Sequence, residues 1–230
     1  MNRTAAPTRS HGTEFDVGKF VRAAAHEIAG QINAISMNAE LVKLLLERSD
    51  VARADETIKR MLSDCGRYGR MVRGLERFGA CMTARERETV RVADLIDGAT
   101  VAYVQERSDA KPALKTDADE ASIVVDRVAV QRVLSGLIHN AAESGATSIA
   151  IRARREADAV VVVVADDGSG IPANIRARIT EPFFTTRRDA GHNGLGLTLA
   201  EEILVAHGGS LTIEDNDARG TCATVRLPLA

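Results

Sequence analysis

The run Val160-Val161-Val162-Val163-Val164-Ala165-Asp166-Asp167-Gly168-Ser169-Gly170-Ile171-Pro172 divides into two textures. Residues 160–165 are apolar without interruption, which reads as a buried strand. Asp166 to Gly170 then breaks the run with turn residues. Outward from it, residues 122–125 and 147–152 also read as strands, and residues 209–229 as a β-hairpin turning at Asn216-Asp217-Ala218-Arg219-Gly220. Helical spacing covers residues 92–106, 128–144 and 195–207. Mixed elements over about 140 residues predict an α+β sandwich, a sheet with helices on one face.

Four clusters in this half carry chemistry. In Leu137-Ile138-His139-Asn140-Ala141-Ala142-Glu143, Asn140 sits late in an amphipathic helix, and an amide oxygen there can complete an octahedral Mg²⁺ shell beside phosphates and waters. Asp166, at a strand end, can accept a hydrogen bond from an exocyclic amine, and Gly168 and Gly170 admit a planar base close to the backbone. A plain Asp-Gly turn fits the same residues. Glu181-Pro182-Phe183-Phe184-Thr185-Thr186 holds two of the chain's five phenylalanines, read as a hydrophobic anchor on a mobile segment or as a core contact. Gly191-His192-Asn193-Gly194-Leu195-Gly196-Leu197 opens a helix, and such a turn offers unpaired N–H groups to phosphate. Residues 183–193 read as a lid closing over a nucleotide.

The N-terminal half has a different period. Residues 1–13 are polar and expected to be flexible. From about residue 14 to 46, apolar residues recur in steps of three and four (Phe20, Ala24, Ile28, Ile32, Ile35). A polar break at Glu47-Arg48-Ser49-Asp50 follows, with Ser49 or Asp50 available to cap a second helix over 51–78. Ile58, Met61, Cys65, Tyr68, Val72 and Leu75 form its seam. One hairpin cannot bury both seams well, so a homodimeric four-helix bundle is expected. The domains expected are a tail (1–13), a helical hairpin (14–80), a linker (81–90) and the sandwich (91–230).

At about 100° per residue, His26 lies about 200° from Ala24 and Ile28, on the water side of the first helix. A neutral imidazole is a competent nucleophile near neutral pH, and Glu27 beside it can accept or orient a proton.

The 230 residues are 45% apolar and 27% charged, which excludes disorder as the main state. A net charge of -2 argues against a duplex-DNA partner. No apolar run is long enough to span a bilayer, and the N-terminus lacks a signal peptide's apolar core. Cys65, Cys81 and Cys222 have neither disulfide nor metal spacing. A cytoplasmic setting is expected.

In order and spacing, the four clusters resemble the N, G1, F and G2 boxes of sensor histidine kinases. That ATP-binding domain has the GHKL (Bergerat) fold, shared with gyrase, Hsp90 and MutL-type ATPases. Ala24-Ala25-His26-Glu27-Ile28 resembles the kinases' phosphoacceptor box. The resemblance implies a helical hairpin forming a dimeric four-helix bundle, then a GHKL α+β sandwich. It implies autophosphorylation of His26 from Mg-ATP, with Glu27 assisting, and transfer to an aspartate on a response-regulator receiver domain. It assigns Mg²⁺ to Asn140 and the adenine to Asp166, Gly168 and Gly170. Thr185, Thr186, Gly194, Leu195, Gly196 and Leu197 complete the ATP-binding set. The chain departs at Gly136, Glu143 and His192, where many members have Asn, Lys and Gly. Gly30 and Gln31 replace the common Thr or Asn and Pro. The spacing Glu27-x-x-x-Gln31 resembles a subgroup in which the Gln orients a water for dephosphorylating the partner. With so little chain before the first helix, the signal is expected from a separate sensor protein, from the bundle, or from the rest of a longer protein. Two other readings are a non-catalytic phosphotransfer adaptor and a GHKL ATPase that works by conformational change. Decay to an adaptor would remove Asp166-x-Gly-x-Gly and Gly194-Leu195-Gly196-Leu197, and both motifs are intact.

Overall fold

The structure, a computed structural model, describes residues 16–82, 86–106, 112–187, 192–216 and 219–229. The expected N-terminal tail lies outside the described residues. Two compact units emerge: the helical hairpin together with Glu181–Leu195, and an α/β unit formed by Cys81–Thr180 and Gly196–Ala230.

In the helical unit, α1 spans Val17–Glu47 and α2 spans Val51–Met82. Asp16 caps α1 by accepting from the Lys19 N–H at 2.7 Å. The turn places Ser49 at φ 59°, and Asp50 rather than Ser49 caps α2, accepting from the Arg53 N–H at 3.3 Å. The second helix continues four residues beyond the expected end at 78, through Gly79. The seams stay largely open to solvent. Leu45, Ala54 and Met71 are buried, whereas Val17, Val21, Ile32, Met37, Leu44 and Leu62 are more than half exposed. Such a stripe on a hairpin needs a further partner to be covered.

The α/β unit holds a five-stranded sheet. Its strands are β2 (Ala113–Ala118), β4 (Ser148–Arg155), β5 (Ala159–Asp166), β6 (Ser210–Asp215) and β7 (Thr221–Pro228), in the order β2-β4-β5-β7-β6. Only the β2–β4 pair is parallel. A separate antiparallel pair joins β1 (Glu88–Arg91) to β3 (Ser122–Val125). The valine run alternates: Val160, Val162 and Val164 are buried, and Val161 and Val163 are half-buried. The sheet therefore has one core face, covered by α3 (Val92–Glu106), α4 (Arg127–Glu143) and α6 (Gly196–Ala206). The short α5 (Ala173–Arg176) follows β5.

Three elements differ from the sequence expectation. Residues 88–90, expected to be linker, belong to β1, where Val90 is the one buried residue. β2 was not expected: none of its residues is fully buried, so it has no apolar alternation to read. The turn α5 is a single turn after Pro172.

His207 ties two helices together. Its Nδ1–H donates to the Ile203 carbonyl at 2.7 Å, and its Nε2 accepts the Asp126 N–H at 3.0 Å. Asp126 in turn caps α4, accepting from the Ala129 N–H at 3.0 Å. No helix among the described residues is long and apolar enough to cross a membrane.

Candidate nucleotide and phosphoacceptor sites

In the α/β unit, α4 buries Val133, Leu134, Leu137, Ile138 and Ala141 and leaves Asn140 exposed in its last turn. His139 is a packing residue. Its Nδ1–H donates to the Ser135 carbonyl at 2.9 Å, and its ring meets Tyr103 edge-on at 4.9 Å.

Asp166 ends β5 and is only 4% exposed. Its Oδ1 accepts the Gly168 N–H at 2.8 Å and lies 3.3 Å from the Ser144 hydroxyl. Its Oδ2 has no hydrogen bond among the described residues. A buried carboxylate with one oxygen fixed and the other uncommitted is poised to accept a donor from a ligand.

The two glycines that follow are required by shape. A Cβ at Gly168 would lie 1.8 Å from the Ser144 Oγ. Gly170 adopts φ +73°, the left-handed region that favours glycine.

Asp167 has a different task. It accepts from the Thr147 hydroxyl at 2.6 Å, the Thr147 N–H at 2.7 Å and the Ser148 N–H at 3.0 Å. It thereby fastens the end of β5 to the start of β4. The Thr147 hydroxyl, then the Ser148 N–H, hold its carboxyl well below the usual aspartate range, at about 2. A depressed carboxyl stabilises the fold fully above its unfolded value and loses that contribution as pH falls toward 2. Acid unfolding followed by circular dichroism should therefore begin at higher pH in Asp167→Ala than in the parent. Coincident acid transitions would show that these bonds add nothing.

α6 begins at Gly196, and the N–H groups of its first turn have no partner within the helix. The Thr198 hydroxyl donates to the Thr180 carbonyl at 2.9 Å.

In the helical unit, His26 is exposed on α1 and makes no hydrogen bond among the described residues. Glu27, the neighbour expected to assist it, is turned elsewhere: its Oε1 accepts from the Gln31 side-chain amide at 2.7 Å. Gln31 Nε2 also lies 3.4 Å from the Met71 sulfur. Phe183 is buried with Met71 and Leu195, packed on Phe20, Ala23, Ala24 and Ile28, and its ring stacks on Phe20 at 5.9 Å. Of the two readings for the Phe pair, the core contact describes Phe183. Phe183 pays a conformational cost at φ 65°. Its N–H donates to the Gly194 carbonyl at 3.0 Å. Gly194, at φ +66°, has no room for a Cβ, which would lie 2.5 Å from the Phe183 carbonyl carbon. Glu27, Gln31, Met71, Thr185 and His192 share a small cleft of about 70 Å³.

Residues 125–230 match the family of histidine kinase-, DNA gyrase B- and HSP90-like ATPases. The alginate biosynthesis sensor protein KinB of Pseudomonas aeruginosa is 28% identical over 218 residues, covering 92% of this chain and 37% of KinB. The sensory histidine kinase/phosphatase NtrB of Rhodobacter capsulatus is 27% identical over 231 residues, covering 90% of this chain and 60% of NtrB. The catalytic domain of histidine kinase ThkA superposes with a TM-score of 0.56 at 26% identity, covering 63% of this chain and 97% of that domain. Residues 125–230 thus form an ATPase domain of this family, and the chain as a whole is similar to the catalytic core of sensor histidine kinases. It spans between about a third and three-fifths of the length of these two curated relatives.

Of the residues singled out in the sequence, Asn140, Asp166, Gly168, Gly170, Gly196 and Leu197 fall in the α/β unit. Thr185, Thr186, Gly194 and Leu195 fall in the helical unit with His26, Glu27 and Gln31. Sequence reasoning missed Ser144 and Asn216, which hold Asp166 from outside its own motif. It also missed Asp167 as a strand clamp, although the doubled Asp of Asp166-Asp167 was a signal for it.

Proposed function

We propose that this kinase core takes ATP at Asp166 and transfers its γ-phosphoryl group to His26, from which the group passes to an aspartate of a response-regulator receiver domain. The uncommitted Oδ2 of the buried Asp166 carries the reading, because it matches the exocyclic amine of adenine in chemistry. Gly168 and Gly170 leave the space a flat base needs. The first turn of α6, at Gly196 and Leu197, offers N–H groups to phosphate.

An imidazole nitrogen of His26 attacks the γ-phosphorus, the bond to the bridging oxygen breaks, and ADP leaves with that electron pair. The other ring nitrogen must give up its proton for the product to be neutral at the ring. Glu27 can take it once its carboxylate leaves the Gln31 amide. Bound Mg²⁺ would supply charge neutralisation for the phosphates. Asn140 offers it an amide oxygen, a ligand of the right hardness.

Dephosphorylation of the partner is a second activity of the same helix. Gln31 spends its NH₂ on Glu27, which leaves its carbonyl oxygen to align a water. Gln31→Ala is expected to slow loss of the partner's aspartyl phosphate at least about 10-fold while leaving labelling of His26 intact. Unchanged loss of that phosphate would remove the role.

The exposed stripes of α1 and α2 support a homodimer; a cytoplasmic setting, with the signal entering from a sensor segment or protein, belongs to the same proposal. Multi-angle light scattering should return twice the chain mass of 24.6 kDa. A monomer at micromolar concentration would contradict the four-helix bundle.

The kinase reading is tested by incubating the chain with γ-labelled ATP and Mg²⁺. Acid-labile, alkali-stable label is expected on the parent and none on Asn140→Ala. A parent that hydrolyses ATP without retaining label would instead be an ATPase of the conformational type.

A further inference from the structure

The β6–β7 turn reaches back to the strand end that carries Asp166. The pairing of β5 with β7 stops at Ala165 and Cys222. The Asp166 carbonyl therefore lies one residue past that ladder. It accepts instead from the Asn216 side-chain amide at 2.8 Å, a residue 50 positions away in the chain. Asn216 is itself fixed, because its backbone N–H donates to the Gly220 carbonyl at 3.1 Å. Gly220 lies so close that a Cβ there would sit 2.2 Å from the Asp166 carbonyl oxygen and 2.7 Å from Oδ1. The carbonyl oxygen of Gly220 would be 3.3 Å from a Cβ on Gly170.

A second brace runs from the same turn. Asp215 pairs with Arg176, whose Nη2 donates to the Ile171 carbonyl at 3.0 Å. The turn thus grips the Asp166–Ile171 segment at both ends, on either side of its two glycines.

We infer that Asn216 is a positioning residue of the nucleotide site, which sets the direction of the Asp166 carboxylate and so the preference for a base bearing an exocyclic amine. The inference rests on Asp166 receiving adenine. Asn216 touches no substrate. It holds the peptide from which the Asp166 side chain departs, and a rotation of that peptide swings the carboxylate. Asn216→Asp keeps the size of the side chain but replaces the donor with an acceptor facing a carbonyl oxygen. Asn216→Ala removes the bond alone.

The test measures binding of ATP and ITP, which carries a carbonyl in place of the amine, to the full chain by calorimetry. Parent, Asn216→Ala, Asn216→Asp and Asp166→Asn are compared, with thermal melting of each apo form. The parent is expected to prefer ATP. Both Asn216 variants should lose about 10-fold in ATP affinity, the loss of one well-made hydrogen bond, with ITP affinity unchanged. The ATP-over-ITP preference then collapses. A purely structural Asn216 would lower the melting temperature and weaken both nucleotides equally, which overturns the inference. Unchanged ATP binding in both variants, with Asp166→Asn still defective, also overturns it and leaves the Asp166 reading standing. A parent that does not distinguish ATP from ITP, or an Asp166→Asn variant that binds ATP normally, would remove the Asp166 reading itself.

Discussion

A chain carrying His26→Gln, incubated with γ-labelled ATP and Mg²⁺, takes up no acid-labile label and binds ATP as well as the parent does. Glutamine roughly matches the reach and polarity of histidine but has no nucleophilic nitrogen, because its amide lone pair is delocalised. His26 is exposed on α1 and makes no hydrogen bond among the described residues, so its removal costs the fold little. The loss is expected to be complete within detection, since phosphoryl transfer without an acceptor leaves only the slow reaction with water. Retained binding separates loss of the acceptor from loss of the site. Residual acid-labile label on the variant would move the acceptor to another histidine.

The second large effect lies at Asp166. Asp166→Asn is expected to weaken ATP binding about 100-fold, near the upper range for a lost charge-assisted hydrogen bond. The substitution is nearly isosteric, and the amide oxygen can still accept from the Gly168 N–H that Oδ1 now holds. The other position becomes an NH₂, which presents a donor to the donor of adenine. Thermal melting of the apo variant should stay close to that of the parent. Calorimetry that returned parental affinity would show that the carboxylate serves the Asp166–Gly170 turn rather than a ligand.

Much of the fold was legible because its signals are local. The valine run reads as a strand, and the steps of three and four along 14–46 and 51–78 read as helices, leaving only the last residues of the second helix, to Met82, unread. β1 and β2 were hidden because pairing with distant strands, rather than their own sequence, makes them strands. Glu88–Arg91 has one buried residue, and Ala113–Ala118 has none. Parts of the site were legible for a related reason. Gly170 and Gly194 must be glycine for their backbone angles, and a sequence records such demands directly. Asn216 was not legible, because it acts through a backbone carbonyl across the sheet, and any turn residue with an amide would have looked the same. The packing of Phe183 on Phe20 joins segments more than 160 residues apart, which no periodicity reports.

The bonding of His207 and His139 has an implication for reagents rather than for catalysis. An acylating compound such as diethyl pyrocarbonate needs an imidazole whose lone pair is open to water. Both nitrogens of His207 are engaged, and His139 is partly shielded against Tyr103. Among the described histidines, His26 alone is exposed. Brief carbethoxylation would therefore mark the proposed phosphoryl acceptor ahead of the other described histidines.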